Sequence, residues 1–404
     1  MTDTRPSGAI APLDRVREIV MADTGLQQRL SVIQEPHSFA SVIVEIATSA
    51  GVDLADETVL DAMEHDPLGL ARFRPAQLTG RAMPDRQWLP IAVMPAVGEM
   101  AVEWAHFGGV PLSAPFFEDT LRRVRSQPFN RLFPCRTPLA GLAQAEPDDD
   151  LAVPDGFIFH LSRCGSTLVS QMLASLPGTI VVSEAAPLDS VVQLVDANPG
   201  VPIDERARLL RAMVGALGRD RTGDARHYVV KLDSWHALAL PLFRYAFPDT
   251  PWIFLYRDPV EILVSQMRIR GMQATPGIRS HDLYGIVGAE DMSAEEYCAR
   301  AFACICTAVL DHAELGGGRL INYASLPGAV EAEILSHFGI ESDAAGRAAM
   351  AAAAGRDAKA PSVSFVADTE AKQKEASDAV RAAVEVHLAE PYRRLEAMRL
   401  ARGK

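Results

Sequence analysis

The chain has 404 residues, a formal net charge of −13 and five cysteines. That acidic balance argues against nucleic acid as the main partner, and no run of about eighteen apolar residues is present to span a membrane. The first residues, MTDTRPSGAIAPLDR, lack the charged-then-apolar build of a signal peptide, and Cys135, Cys164, Cys298, Cys304 and Cys306 show neither metal nor disulfide spacing, so a reducing, cytoplasmic home is expected.

In chain order, Leu13 to Met63 carries helical periodicity in three pieces, LDRVREIVMADTGLQQRLSVI, PHSFASVIVEIATSAG and DETVLDAM. Asp23-Thr24 and His37-Ser38 supply helix-start chemistry, and Gly51 is a natural stop. Val20 through Leu30 and Phe39 through Leu54 resemble the leader helices of the nif-eleven type of peptide precursor. A generic helical hairpin is the alternative reading of the same residues.

From about Pro67 to Ala145 the sequence is richer in proline and aromatic residues (RQWLPIAVM, EWAHFGGVPLSAPFFEDTL, FNRLFPCRTPL). Its periodicity is poor apart from a helix near Phe116 to Arg125. These aromatics line an acceptor pocket or form a core; the pattern leaves both open. The polar tract AEPDDD, Ala145 to Asp150, marks a boundary. The chain therefore divides into a small helical region over 1–66, an irregular region over 67–150 and an α/β domain over 151–404.

Beyond Leu151, strand and helix patterns alternate. Strands are predicted at 157–161, 179–183, 227–232, 252–256 and 319–322, with helices between, which implies a mainly parallel sheet with right-handed crossovers. The first strand runs into FIFHLSRCGSTLVSQML: a buried strand, a turn with Gly165, and a helix opening on Ser166-Thr167. Such a joint aims unpaired N–H groups and the positive end of a helix dipole at one spot, a site for a phosphate-like group. Arg163 adds a fixed charge, and Ser166 and Thr167 add hydroxyls; the Walker pattern is absent. Cys164, at a helix start beside an arginine, is expected to have a lowered pKa, although no base pairs with it and it is expected to be dispensable.

A second segment, WIFLYRDPVEILVSQM, ends a strand at Tyr256 and turns into a helix at Pro259. Arg257 then lies at the carboxyl end of a strand, where ligands of open parallel sheets bind. Ser265 lies two helical turns on, and the pair can grip one phosphate through a guanidinium fork and a hydroxyl. The plainer alternative is an Arg257–Asp258 contact at the helix start.

Together the two segments resemble the sulfotransferases that use 3′-phosphoadenosine 5′-phosphosulfate (PAPS), over roughly Gly156 to Tyr323. SRCGST stands in place of that family's 5′-phosphosulfate loop, with Ser162 for the usual proline and Cys164 for a serine; RDPVEILVS stands in place of its 3′-phosphate segment. The resemblance implies a P-loop-like, three-layer α/β fold, preceded here by the small helical region. It implies cofactor contacts from Arg163, Cys164, Gly165, Ser166, Thr167, Arg257 and Ser265. Tyr323, followed by Ala324 instead of the family's acid, is a further contact. Read by itself, the loop RDAKAPSVSF either closes over the cofactor with Lys359 reaching a phosphate or is an ordinary solvated loop.

The local pattern is similar to the tyrosylprotein sulfotransferases and their bacterial relatives, which implies Glu184 as general base and Lys231, with Arg163, as stabilisers of the transferring charge. Read by itself, Glu184 is equally a helix-start acid and Lys231 a lysine at a strand end. His236 is the rival base, on a helix that Asp233 caps. The activity implied is direct in-line transfer of a sulfuryl group from PAPS to a hydroxyl acceptor, possible acceptors being a peptide tyrosine or a small alcohol or phenol, with no metal. An ATP-dependent phosphotransferase and a non-catalytic nucleotide- and peptide-binding protein are the alternatives. The chain ends in a helical stretch predicted to break or kink near Pro391.

Overall fold

The computed structural model describes residues 11–64, 76–145, 151–277, 283–357 and 369–402. Two units emerge, one from Met1–Val110 and Glu118–Glu146, the other from Pro111–Phe117 and Pro147–Lys404.

The first unit begins with four helices, α1 (Pro12–Met21), α2 (Thr24–Ser31), α3 (Pro36–Ser49) and α4 (Asp56–Ala62). Asp23 caps α2 as expected, accepting the Leu26 amide at 3.0 Å. The cap of α3 is Glu35, not His37 or Ser38. Its carboxylate accepts the amides of Ser38 and His37 at 2.6 and 2.9 Å, which together hold its pKa down at about 2. Gly51, at φ 71°, takes up the left-handed turn after the helix.

The stretch read as irregular holds an antiparallel sheet of three strands, β1 (Trp88–Pro95), β2 (Met100–His106) and β3 (Cys135–Pro138), in the order β1-β2-β3. The hairpin between β1 and β2 turns through Gly98 at φ 85°. Its register slips between Pro90 and Ala92, an irregularity that lets proline sit inside a strand. Helix α5 (Phe117–Ser126) falls where the sequence predicts one; α6 (Pro128–Leu132) and α7 (Leu139–Ala143) flank β3. Trp88 anchors this unit: its indole donates to Gln27 Oε1 at 2.9 Å, and its ring packs on His106 and Phe129.

The second unit alternates strand and helix. It runs β4 (Gly156–His160), α8 (Ser166–Ala174), β5 (Thr179–Ser183), α9 (Ala186–Asp196), α10 (Ile203–Leu217), β6 (His227–Lys231), α11 (Leu240–Ala246), β7 (Trp252–Tyr256), α12 (Pro259–Arg268), α13 (Ala294–Asp311) and β8 (Gly318–Asn322). After these come α14 (Leu335–His337), α15 (Ala344–Ala354), α16 (Thr369–Glu375), α17 (Asp378–Ala383) and α18 (Ala389–Arg402).

The five strands pair in the order β5-β6-β4-β7-β8, all parallel. Every residue of β4 and β7 is buried, so both faces of the sheet are covered and the strands read as continuous apolar runs. This is the three-layer, P-loop-like α/β fold expected. Crossovers leave β4 and β6 toward opposite sides of the sheet, and their carboxyl ends open a crevice at the switch point.

One core lies between the sheet and α8, where Ile158, Val169, Leu173, Val229 and Leu255 meet Phe338. Gly156 is required there, since a Cβ on it would stand 2.4 Å from the Phe338 ring. Toward the C-terminus, the helix is interrupted by a π-turn, Val384–Leu388, just ahead of Pro391. Pro391 thus sits in the first turn of α18, where its missing N–H is tolerated. No helix among the described residues is long and apolar enough to cross a membrane.

Candidate active site

The turn after β4 is held in an uncommon conformation. Ser162 and Arg163 both have φ 52°, and Gly165 has φ 83°; for side-chain-bearing residues such angles cost on the order of 1 kcal/mol each and need external support. Ser162 has that support. Its amide donates to His160 Nδ1 at 3.0 Å, and its hydroxyl accepts from Gln273 and Gln266 at 2.7 and 3.2 Å. Arg163 donates through Nη2 to the Ile269 carbonyl at 2.8 Å, and burial lowers its pKa.

Gly165 is the N-cap of α8 and brings no side chain to the orphan amides. A Cβ there would lie 2.8 Å from Leu326 and 2.9 Å from the Tyr323 ring, so both conformation and space demand glycine. Ser166 and Thr167 open the helix on the cavity wall.

On the next strands, the parallel register sets Ser183 opposite Lys231. Glu184, one residue on, turns left-handed at φ 52° and donates its amide to the Lys231 carbonyl at 2.8 Å. Its Oε1 then lies 2.6 Å from Lys231 Nζ and 3.4 Å from His160 Nε2. Burial alone would raise the Glu184 pKa; the Lys231 ammonium and His160 outweigh it and hold the carboxyl below the usual carboxylate range. The Lys231 side chain is fully buried, donates to Thr167 Oγ1 at 3.3 Å, and has its ammonium 4.7 Å from the Phe116 ring centroid.

Arg257, at the end of β7, is buried with its guanidinium 3.9 Å from the Tyr323 ring centroid. It pairs with Glu261, one turn along α12, and not with Asp258. Asp258 instead caps α12 through the Glu261 amide and accepts from Gln373. Ser265 is half-buried on the same helix.

Arg163, Gly165, Ser166, Thr167, Glu184, Arg257, Ser265 and Tyr323 all line one cavity of about 540 Å³. Lys231 sits directly behind its wall. The lining also carries Arg270, Arg356 and Lys372 against the acids Glu184, Asp233 and Asp357. Five basic side chains against three acidic ones make this a place for an anion, despite the acidic chain around it. A neighbouring cavity of about 730 Å³ shares Arg257 and Tyr323 with the first.

One expectation fails, and one rival reading falls away. Cys164 does not line the cavity: its thiol points into the core, 3.1 Å from the Leu255 carbonyl, and burial pushes its pKa up to about 12. Desolvation defeats the helix-end effect because the side chain leaves the loop on the sheet side. His236 does not face the cavity either. Its Nδ1 accepts the Asp233 amide at 3.3 Å and its Nε2 meets Asp189 at 3.0 Å. Asp189, Asp233 and His236 bring ligand-type atoms within 4.8 Å of one another, but both histidine nitrogens already serve this hydrogen-bonded helix start. Lys359 lies outside the described residues.

Several lining residues were missed by sequence reasoning. His160 is a polar residue closing an apolar strand, the one signal available. Asp233 stands at the cavity wall with its pKa pushed up to about 7, by burial first and then by Glu184 and Asp189. Lys372, buried on α16, comes from a stretch that reads as a solvated helix.

The fold and site together define an α/β protein with a basic crevice, an acid on its wall and a lysine behind that acid. No known family profile matches the chain, and no curated protein matches it. Solved structures that resemble it include a sulfotransferase from Mycobacterium avium, with TM-score 0.35 and 14% identity over 61% of this chain and 81% of that one. A sulfotransferase from Alicyclobacillus acidocaldarius gives TM-score 0.36 and 15% identity over 62% and 96%. The sulfotransferase domain of the Synechococcus PCC 7002 olefin synthase gives TM-score 0.34 and 14% identity over 63% and 97%. At such scores the reading of the site rests on its own residues.

Proposed function

We propose that the protein transfers a sulfuryl group from PAPS to a hydroxyl acceptor. The observation that carries this is the Glu184–Lys231 pair, 2.6 Å apart, with Glu184 on the wall of the cavity that Arg163 and Arg257 also line and Lys231 directly behind it. The cavity fits a doubly anionic nucleotide: orphan amides at α8 and Arg163 suit its 5′ end, and Arg257 with Ser265 suits its 3′-phosphate. Tyr323 packs beside both. The donor, when bound, supplies the electrophilic sulfur and a phosphate leaving group.

Glu184 is ionised at neutral pH and accepts the proton as the acceptor O–H bond breaks. The acceptor oxygen forms the new bond to sulfur, and the bridging S–O electron pair departs with the phosphate. Lys231 and Arg163 stabilise the charge that accumulates there. As Lys231 turns its donors toward that charge, its hold on Glu184 weakens and the carboxylate becomes a stronger base. The scheme calls for no metal, and its donor is a cytoplasmic one, so we assign the enzyme to the cytoplasm. For the acceptor we favour a peptide hydroxyl, because Val20 through Leu30 and Phe39 through Leu54 resemble peptide leader segments.

The test is calorimetry of 3′,5′-adenosine bisphosphate against the wild type and Arg257→Ala. Tight binding that collapses in the variant supports the reading. Binding of ATP with Mg²⁺ and not of the bisphosphate overturns it in favour of a phosphotransferase.

A further inference from the structure

We propose that His160 is a positioning residue for this reaction: as a neutral Nε2–H donor it holds the Glu184 carboxylate in place while Lys231 shifts toward the transferring group. The role in turnover rests on the sulfuryl-transfer reading above; the pairing itself does not.

His160 closes β4 and is 4% exposed. Its Nδ1 accepts the Ser162 amide at 3.0 Å, so in the neutral ring the proton resides on Nε2. That nitrogen is buried, has no hydrogen bond of good geometry among the described residues, and lies 3.4 Å from Glu184 Oε1. Burial also lowers the ring's pKa, which favours the neutral form. An imidazolium would set a second N–H against the Ser162 amide, so His160 donates without shuttling protons.

Lys231 and His160 both approach Oε1 of Glu184, which assigns the acceptor's proton to Oε2. Lys231 is pulled two ways when sulfate charge develops; His160 sits at the end of buried β4, with the Leu232 carbonyl as its other acceptor, and stays. The other charged groups facing Glu184 are Arg163 from the loop and Asp233 beyond β6, and neither replaces the donor.

Two variants separate this role from a structural one. His160→Asn keeps an acceptor for the Ser162 amide but falls short of Glu184; His160→Gln presents an N–H near the Nε2 position. We expect His160→Asn to lower kcat about 10- to 100-fold, the range for one hydrogen bond to a charged group, with bisphosphate affinity unchanged. Its acid limb of kcat/KM moves to higher pH, because Glu184 has lost a donor to its ionised form. His160→Gln retains most of kcat. Full activity in His160→Asn, or an equal loss in both variants at every pH, overturns the proposal.

A readout free of turnover is the ¹⁵N spectrum of labelled histidine. The expected result is a protonated Nε2 and an unprotonated Nδ1 for His160, with Nε2 shifting in Glu184→Gln. A proton on Nδ1, or titration near neutral pH, overturns the pairing. A wild type that shows this tautomer but no sulfuryl transfer overturns the functional reading alone.

Discussion

The Glu184 carboxylate and the Lys231 ammonium meet at 2.6 Å because β5 and β6 run parallel with Ser183 opposite Lys231. The sheet register thus delivers an acid and a cation to one point. Neither residue needs a mobile loop to reach it, and the pair is in place before any ligand arrives.

Replacing Glu184 by glutamine keeps the shape and removes the base. Sulfuryl transfer should fall about 10²- to 10⁴-fold, while calorimetric affinity for the bisphosphate stays within a few-fold of wild type. Loss of nucleotide binding in this variant would contradict the division of roles drawn above.

Lys231→Met leaves a half-buried carboxylate without its ammonium. Breaking such a pair from one side costs about 3 kcal/mol or more, so urea titration should register a clear loss of stability together with the loss of transfer.

The same pair has a signature in pH. A carboxyl whose folded pKa is depressed contributes stability that is complete above its unfolded value and disappears as pH falls through the folded one. For Glu184 the stabilisation should therefore be intact from pH 7 down to about 4.5 and decline only below that. Comparing urea midpoints of wild type and Glu184→Gln across this range isolates it: their difference should stay constant above pH 4.5 and shrink on the acid side.

Gly165→Ala puts a methyl group where Leu326 and Tyr323 stand and forces alanine to φ 83°. A strain of about 1–3 kcal/mol at the loop should weaken bisphosphate binding by about 5- to 150-fold. The measurement is calorimetric, with circular dichroism to verify the fold.

Cys164, despite its place beside an arginine at a helix start, should resist iodoacetamide at pH 8 in the folded protein, because its buried thiol ionises only near 12. Cys164→Ser should keep its activity, with the hydroxyl donating to the Leu255 carbonyl in the thiol's place. Rapid, stoichiometric labelling at that position would mean the thiol faces solvent.

Most of the second unit was legible because its strands are buried on both faces. Runs such as FIFH and WIFLY carry no alternation to confuse, and Arg163, Arg257 and Glu184 follow directly at strand ends. The first sheet was not legible: Pro90 interrupts β1 at its irregular register, and burial falls from complete to partial along the strand without alternating. Glu35 was missed as a cap because glutamate is an unusual residue in that position. His160, Asp233 and Lys372 acquire meaning only from what the tertiary fold sets beside them. For Cys164, local sequence predicts the charge environment but not which way the side chain points.

Phe116 covers the Lys231 ammonium from a short segment, 111–117, that belongs to the second unit although the first unit's chain surrounds it. The second unit is therefore discontinuous in sequence, and a chain cut at residue 151 would leave that lysine's aromatic cover behind. Water reaching the amine would weaken its grip on Glu184, so on the sulfuryl-transfer reading a truncated chain should retain its sheet and still turn over poorly. Excision, domain exchange or fusion to another protein should carry 111–117 along with the rest.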